Sequence, residues 1–235
     1  MVILSIETST RVCSAALSKN GECIAYRIQE ENANHIQVLP LFIQELLDIA
    51  RTKSLVIQAI ALSEGPGSYT GLRIGTSIAK GLCYGMQVPL VPIPSLEVLC
   101  ASAQVDAASP LLLCPMIDAR RMEVYTQLYT LTEKGLLVSQ SPVEARVIEN
   151  NEWLLSARGE QSVYYFGDGA EKCQALLETN AIHYLNNIVP NARFMGALAL
   201  QRLTKEGYTP VDVAYYEPFY LKEYVAAPSH VKGLK

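Results

Sequence analysis

The chain has 235 residues, half of them hydrophobic and 18% charged, and its formal net charge is −4 at pH 7. This composition excludes a disordered chain, and the length suits two small lobes of roughly 100 residues each. Because Lys and Arg are scattered through an acidic chain, a protein that binds nucleic acid on its own is not expected.

The N-terminus and the cysteines indicate a cytoplasmic protein. The apolar run at residues 1–6 is short and lacks a basic flank, so it predicts a strand rather than a signal peptide. No run approaches the roughly 18 apolar residues that a membrane span needs. The six cysteines form no C-x-x-C pair and most lie in apolar stretches, which predicts reduced, buried thiols.

The first 93 residues predict the element order βββαβαβ. Its predicted elements are strands at 2–5, 12–18, 22–29, 59–63 and 89–93, and helices at 34–51 and 71–85. The second and third of these strands are linked by a Gly-containing hairpin signal at residues 19–21. The strand at 59–63 runs into a glycine-rich segment that precedes the second helix.

A similar order recurs after residue 110. Strands are predicted at 111–117, 123–131, 136–147 and 163–166, and helical spacing occurs at 150–158 and 171–179. In both halves the first strand ends on an acid, Glu7 or Asp118, and a later strand ends in G-x-G. Repetition of a whole pattern predicts a duplicated α/β fold. The second copy is truncated, because no last strand is evident, and the boundary is placed near residues 95–109.

The C-terminal part adds a helix and an irregular segment. Residues 191–206 predict a long helix, residues 211–221 are rich in aromatic side chains, and the tail from Pro228 is expected to be loose. The predicted first lobe is 1–100, completed by the helix at 191–206. The second, smaller lobe is 101–190, and 207–235 form the C-terminal segment.

The glycine-rich run at residues 65–71 is a candidate site for phosphate. Glycines at a strand-to-helix junction let a phosphate approach free backbone N–H groups. The glycine-rich run and the ends of the first strand in each half together form the candidate nucleotide or phosphate site. Its residues are Glu7, Thr8, Ser9, Gly65, Gly67, Ser68 and Asp118. The alternative, favoured on the residues alone, is a tight turn with Ser68 or Thr70 as the helix N-cap. The run is not a Walker A loop.

Hydrolase signatures are missing from the sequence. The three histidines form no H-E-x-x-H motif, and no G-x-S-x-G elbow exists. A zinc peptidase is therefore poorly supported. His35 falls within the apolar arc of its predicted helix, which favours partial burial or an interface role.

The two helices of the first half predict a surface for a partner protein. The apolar arc of the helix at 34–51 covers about 180°, wider than a single buried face needs, and the second helix carries four glycines. The predicted interface residues are His35, Ile36, Leu39, Phe42, Leu46, Arg73, Gly75 and Lys80. The alternative is an ordinary lobe core with one wide helix.

Five segments resemble the TsaB (YeaZ) family: residues 3–10, 35–40, 65–75, 117–125 and 217–221. The resemblance spans nearly the whole chain, and the glycine-rich run at 65–75 is specific to this family and its catalytic paralogue, TsaD. It implies the duplicated actin-like (ASKHA, ribonuclease H-like) fold. It also implies that the chain acts in an assembly with TsaD and the ATPase TsaE. That assembly transfers a threonylcarbamoyl group to the adenosine 3′ of the anticodon in tRNAs that read codons beginning with A.

The resemblance further implies a non-catalytic subunit. TsaD-type proteins carry a His-x-x-x-His metal pair where this chain has Ser95-Leu96-Glu97-Val98-Leu99, so neither a metal nor another intrinsic cofactor is expected. The two helices would bind TsaD, or a second copy of the chain when TsaD is absent, and an ATP or ADP site at that interface is left open. The rival hypothesis is a free-standing ATPase or phosphotransferase that uses Glu7, Asp118 and the glycine-rich loop. A peptidase is third.

Overall fold

The first half of the chain forms a five-stranded sheet. The computed structural model describes residues 1–30, 34–105, 111–132 and 135–222. The strands are β1 (Val2–Glu7), β2 (Cys13–Lys19), β3 (Glu22–Gln29), β4 (Ala59–Gly65) and β5 (Leu90–Pro94), and the helices are α1 (His35–Thr52), α2 (Tyr69–Met86) and α3 (Ser95–Ala103). The strand order is β3-β2-β1-β4-β5. The pairs among β1 to β3 are antiparallel, and β4 runs parallel to β1 and β5.

The second half repeats this order with shorter elements. Its elements are β6 (Leu111–Asp118), β7 (Glu123–Thr126), β8 (Tyr129–Leu131), β9 (Leu137–Ser139), β10 (Glu144–Val147), α4 (Glu152–Ala157), β11 (Ser162–Phe166), α5 (Gln174–Leu177) and β12 (Ile182–Leu185). The main path β10-β7-β6-β11-β12 matches the first sheet strand for strand. The duplicated α/β fold is therefore confirmed.

Two strand predictions in the second half need correction. The last strand, which the sequence analysis did not find, is β12, parallel to β11. Only its first residue, Ile182, is buried, so it shows no apolar run. The predicted strands at 123–131 and 136–147 are each divided in two, and the extra hairpin β8–β9 pairs with the other end of β6. Residues 133 and 134 of its predicted turn lie outside the described part.

Helices cover both faces of the first sheet. A strand sends successive side chains to opposite faces, so Leu4 and Ile6 pack under α1 and α2, whereas Ile3 packs beneath the C-terminal helix. That helix, α6 (Met195–Leu203), follows a 3-10 turn at Ala192–Phe194 and is shorter than predicted. Strands buried on both faces read as continuous apolar runs, as β1 does.

Helix α3 joins the two lobes where the sequence analysis placed a boundary. Its Val98 packs in the core of the first sheet, while Leu96 and Leu99 pack with Leu113 and Phe166 of the second. Five of its nine residues are buried, so the helix has apolar residues around most of its circumference. Such a helix lacks the one-sided apolar stripe by which helices are recognised in sequence.

Residues 207–222, here named the C-terminal strap, run along α2 without regular secondary structure. Lys80 Nζ donates to the carbonyl oxygens of Ala214 and Tyr216 at 2.9 and 3.1 Å, and Phe219 N donates to Glu64 O at 2.7 Å. The predicted loose tail from Pro228 lies outside the described residues. None of the described helices is both long and apolar enough to traverse a bilayer.

Candidate functional site

A cleft of about 910 Å³ separates the two lobes. One wall consists of the β1–β2 loop and the loop before α2, the other of the β6–β7 turn and Asp168, and the end of the C-terminal strap completes it. Of the predicted phosphate-loop residues, Ser9, Gly67, Ser68 and Asp118 line the cleft. The remaining three, Glu7, Thr8 and Gly65, are buried behind its surface.

Glu7 is a fully buried carboxyl group at the end of β1. Its Oε1 accepts hydrogen bonds from Ser9 N and Ser9 Oγ, both at 2.6 Å. Oε2 has no hydrogen-bond partner among the described residues. Burial raises the pKa of Glu7 to about 7, an effect that the bonds from Ser9 oppose and the charge of Asp168 reinforces. Glu7 is therefore partly protonated at neutral pH.

This shift predicts a pH-dependent stability. Because the folded state holds the Glu7 proton up to about pH 7 and the unfolded state loses it near 4.5, raising the pH between these values favours unfolding by up to about 3 kcal/mol. The Glu7→Gln side chain cannot ionise. The difference in unfolding free energy between this variant and the native chain should therefore shift in favour of the variant as the pH rises from 4.5 to about 7, and stay constant above that. Urea unfolding between pH 4.5 and 8.5 measures this, and parallel profiles for the two proteins would contradict it.

The glycines of the loop pack against the turn that follows β1. A Cβ at Gly67 would come within 3.0 Å of Ser9 O, and one at Gly71 would crowd Thr8 O. Ser68 N donates to Ser9 O at 2.6 Å, and Ser68 Oγ caps α2 by accepting from Gly71 N at 3.2 Å. The N-cap alternative is thus observed, and close packing accounts for the glycines. A phosphate at this loop stays a prediction.

The second lobe repeats this arrangement around Asp118. A Cβ at Gly169 would come within 3.0 Å of Asp118 N, and Asp118 N donates to Asp168 Oδ1 at 3.0 Å. Lys172 forms an ion pair with Asp118. Burial and the neighbouring Asp118 charge raise the pKa of Asp168, while the charges of Arg11 and Lys172 lower it. The sequence analysis missed Asp168, although its place within the second G-x-G could have indicated it.

The structure corrects three residues of the predicted partner surface. Leu39 and Leu46 are buried in the core of the first lobe, and Gly75 faces Thr8. Phe42 is half-buried against the same core. The wide apolar arc of α1 is largely covered within its own lobe, because α1 contacts β2, β3 and α2.

Three further predicted interface residues have roles elsewhere. His35 lines the cleft, with Nε2 3.2 Å from Val12 O. Arg73 Nε donates to Tyr220 Oη at 3.2 Å, and its guanidinium lies 4.1 Å from the centre of the Tyr69 ring. Lys80 holds the C-terminal strap, as described above. Arg73 and Lys80 therefore fix this segment onto α2.

An exposed surface nevertheless remains on this side of the first lobe. Its large apolar side chains are Ile36, Leu41, Tyr84 and Tyr215, which are 65, 64, 80 and 85% exposed. Ser77, Gly81 and Gly85 follow at four-residue spacing on α2 and are also exposed. No atom lies within 4 Å of a Cβ built at Gly81 or Gly85 in the described structure. We name Ser77, Gly81, Tyr84 and Gly85 the outer stripe of α2.

The segment Ser95–Leu99, where the resemblance implies a metal pair in TsaD-type proteins, has structural roles in this chain. Ser95 Oγ accepts from Gly65 N at 3.0 Å, and Leu99 is fully buried. Between them, Glu97 forms an ion pair with Arg202 at 2.6 Å. Within the described ranges, no three His, Cys, Asp or Glu residues lie together as a metal site. These side chains do not fit a transition metal, which prefers imidazole or thiolate ligands.

Comparison with known proteins gives matches that cover from 60 to 96% of the chain. The model of the family TsaD, tRNA N6-adenosine threonylcarbamoyltransferase, matches residues 28–228. The tRNA threonylcarbamoyladenosine biosynthesis protein TsaB of Escherichia coli K12 is 31% identical over 235 residues, which cover 96% of each chain. TsaB of Bacillus subtilis 168 is 36% identical over 143 residues, 60% of each chain. The solved structure of YeaZ from Pseudomonas aeruginosa matches with a TM-score of 0.75 at 24% identity, covering 94% of this chain and 99% of the other.

Proposed function

The chain belongs to the TsaB (YeaZ) family, and on that premise we propose that it is a non-catalytic subunit in the biosynthesis of threonylcarbamoyladenosine in tRNA. The observation that carries this is 31% identity to a TsaB protein over 96% of both chains. In this proposal a TsaD-type paralogue supplies the transfer site, and a TsaE-type ATPase completes the assembly. The proposed location is the cytoplasm.

The substitution of the metal pair supports a non-catalytic role. Transfer by a metal site needs donors that hold the ion, and the equivalent positions here are a hydroxyl committed to Gly65 N and a buried leucine. Glu7, the acid most comparable to Asp118 in the repeat, is buried and bound to Ser9. These features make the rival phosphotransferase a weaker proposal.

The outer stripe of α2 is the proposed site for the TsaD-type partner. Glycine in a helix costs roughly 0.5–1 kcal/mol relative to alanine, and neither Gly81 nor Gly85 is required by packing within the described chain. Two such glycines beside the exposed Tyr84 ring allow a partner helix to approach the α2 backbone closely. Ile36, Leu41 and Tyr215 would extend the contact. A second copy of this chain would use the same surface when the paralogue is absent.

A binding titration tests the proposal. The purified chain and the TsaD-type paralogue of the same organism should form one saturable complex in sedimentation experiments, with or without ADP, and the homodimer should dissociate as the complex forms. Absence of the complex at tens of micromolar of each protein would refute the proposal. Steady ATP hydrolysis by the chain alone, abolished by Asp118→Asn, would favour the phosphotransferase instead.

A further inference from the structure

Two arginines from different lobes line the cleft. Arg11 belongs to the loop between β1 and β2, and Arg120 to the corresponding turn between β6 and β7. Both residues are exposed, and neither guanidinium forms a hydrogen bond or an ion pair with any residue that the structure describes. Guanidinium groups bind phosphate oxygens through paired N–H donors. A phosphate-bearing ligand therefore suits these two groups.

The acidic side chains around the cleft leave this positive charge available. Asp118 is paired with Lys172, and Glu123 is paired with Lys222. Asp168 lies close enough to Arg11 for the arginine's charge to lower the pKa of Asp168, but the two form no ion pair among the described residues. A chain with a net charge of −4 thus presents at this rim two arginines that form no ion pair with the described residues, and of these Arg11 lies beside an acid, Asp168.

The backbone of the β6–β7 turn holds its arginines in an unusual conformation. Arg120 and Arg121 have φ angles of 72° and 50°, in the left-handed region where Gly and Asn are commonest. Arg120 N donates to Asp118 Oδ1 at 3.2 Å, and Ala119 N donates to Glu123 O at 3.1 Å. Two adjacent exposed arginines are therefore kept at the tip of a hydrogen-bonded turn.

Aromatic side chains of the C-terminal strap lie beside these cations. Phe219 is 41% exposed, and the Tyr220 ring packs at a tilt of 41° with its centre 5.1 Å from that of the Tyr69 ring. All three side chains line the cleft. Exposed rings next to arginines are typical of surfaces that bind single-stranded nucleic acid, because bases stack on the rings while cations hold the backbone.

Resting on the proposed function, we infer that this rim of the cleft contacts a single-stranded segment of the substrate tRNA within the assembly. Arg11 and Arg120 bind backbone phosphates from the two lobes, and Phe219 stacks on a base. The acidic remainder of the chain keeps the contact weak in isolation. The subunit therefore helps to position the RNA as well as to bind the paralogue.

The test measures tRNA binding by the assembly through fluorescence anisotropy. Each variant of this chain is present at a concentration that saturates the paralogue. Arg11→Gln plus Arg120→Gln should weaken tRNA binding by about tenfold or more. The slope of log affinity against log salt should become shallower by roughly 1.4, for two lost phosphate contacts. Lys19→Gln plus Lys205→Gln removes the same charge from exposed positions outside the cleft and should leave both quantities nearly unchanged.

Equal tRNA affinities for the two double variants would overturn the inference and leave the proposed function standing. A loss of ADP binding in the arginine variant with unchanged tRNA affinity would also overturn it, by assigning the rim to a free nucleotide. Arg11→Lys plus Arg120→Lys, which keeps the charge but not the paired donors, should have an intermediate affinity. Failure of the paralogue to bind the native chain would instead count against the proposed function.

Discussion

Gly71→Ala is expected to destabilise the protein by about 3 kcal/mol or more, a large share of the roughly 5–15 kcal/mol that stabilises a folded domain. The added Cβ would collide with the carbonyl oxygen of Thr8, which belongs to the backbone. Neither side can yield easily, because Thr8 N is also bound to Ser63 Oγ and Ser68 Oγ caps the same helix turn. Urea unfolding monitored by circular dichroism measures the loss.

The matched control lies in the same helix. Gly81→Ala meets no atom within 4 Å in the described structure, so only the backbone preference for alanine remains, and the variant should be more stable by roughly 0.5–1 kcal/mol. Replacing glycine with alanine should therefore lower the unfolding free energy at position 71 and raise it at position 81 of the same helix. A similar loss at both positions would mean that α2 packs differently from the arrangement described.

The second large effect concerns association. Gly81→Gln plus Gly85→Gln should leave the chain folded, since both positions are open and glutamine favours helix more than glycine does. The two side chains would block close approach of a partner helix. Affinity for the TsaD-type paralogue should then fall at least about thirtyfold, the loss found for hot-spot residues near the centre of an interface, and tRNA modification should fall with it.

Two controls separate association from folding. Ser156→Gln plus Ala157→Gln places the same side chains on exposed positions of α4 in the second lobe, where neither affinity nor modification should change. The unfolding free energy of the α2 variant should equal or exceed that of the native chain. If the folded α2 variant bound the TsaD-type paralogue with native affinity, the outer stripe would not be part of the interface.

The duplicated fold could be predicted because its evidence is local. Apolar runs mark the buried strands, and the acids Glu7 and Asp118 and the two G-x-G segments mark equivalent points in both halves. The short strand β12 and helix α3 escaped detection for opposite reasons. The first buries a single side chain, and the second buries side chains around most of its circumference.

The predicted interface was partly wrong because a helical wheel shows how wide an apolar arc is but not what covers it. Leu39 and Leu46 belong to the core, and the C-terminal strap, far away in sequence, holds Arg73 and Lys80. Glycine spacing was similarly ambiguous. Gly71 and Gly75 face Thr8, whereas Gly81 and Gly85 face open space, and nothing local in the sequence distinguishes the pairs.

The most direct test of the central claim is transfer of the threonylcarbamoyl group to tRNA, measured with this chain alone, with the TsaD-type paralogue alone, and with both. Threonylcarbamoyl-adenylate and the TsaE-type ATPase are supplied in every reaction. A non-catalytic subunit predicts modified tRNA only when both proteins are present. Modified tRNA from this chain without the paralogue, or an undiminished yield from the paralogue without this chain, would contradict the account.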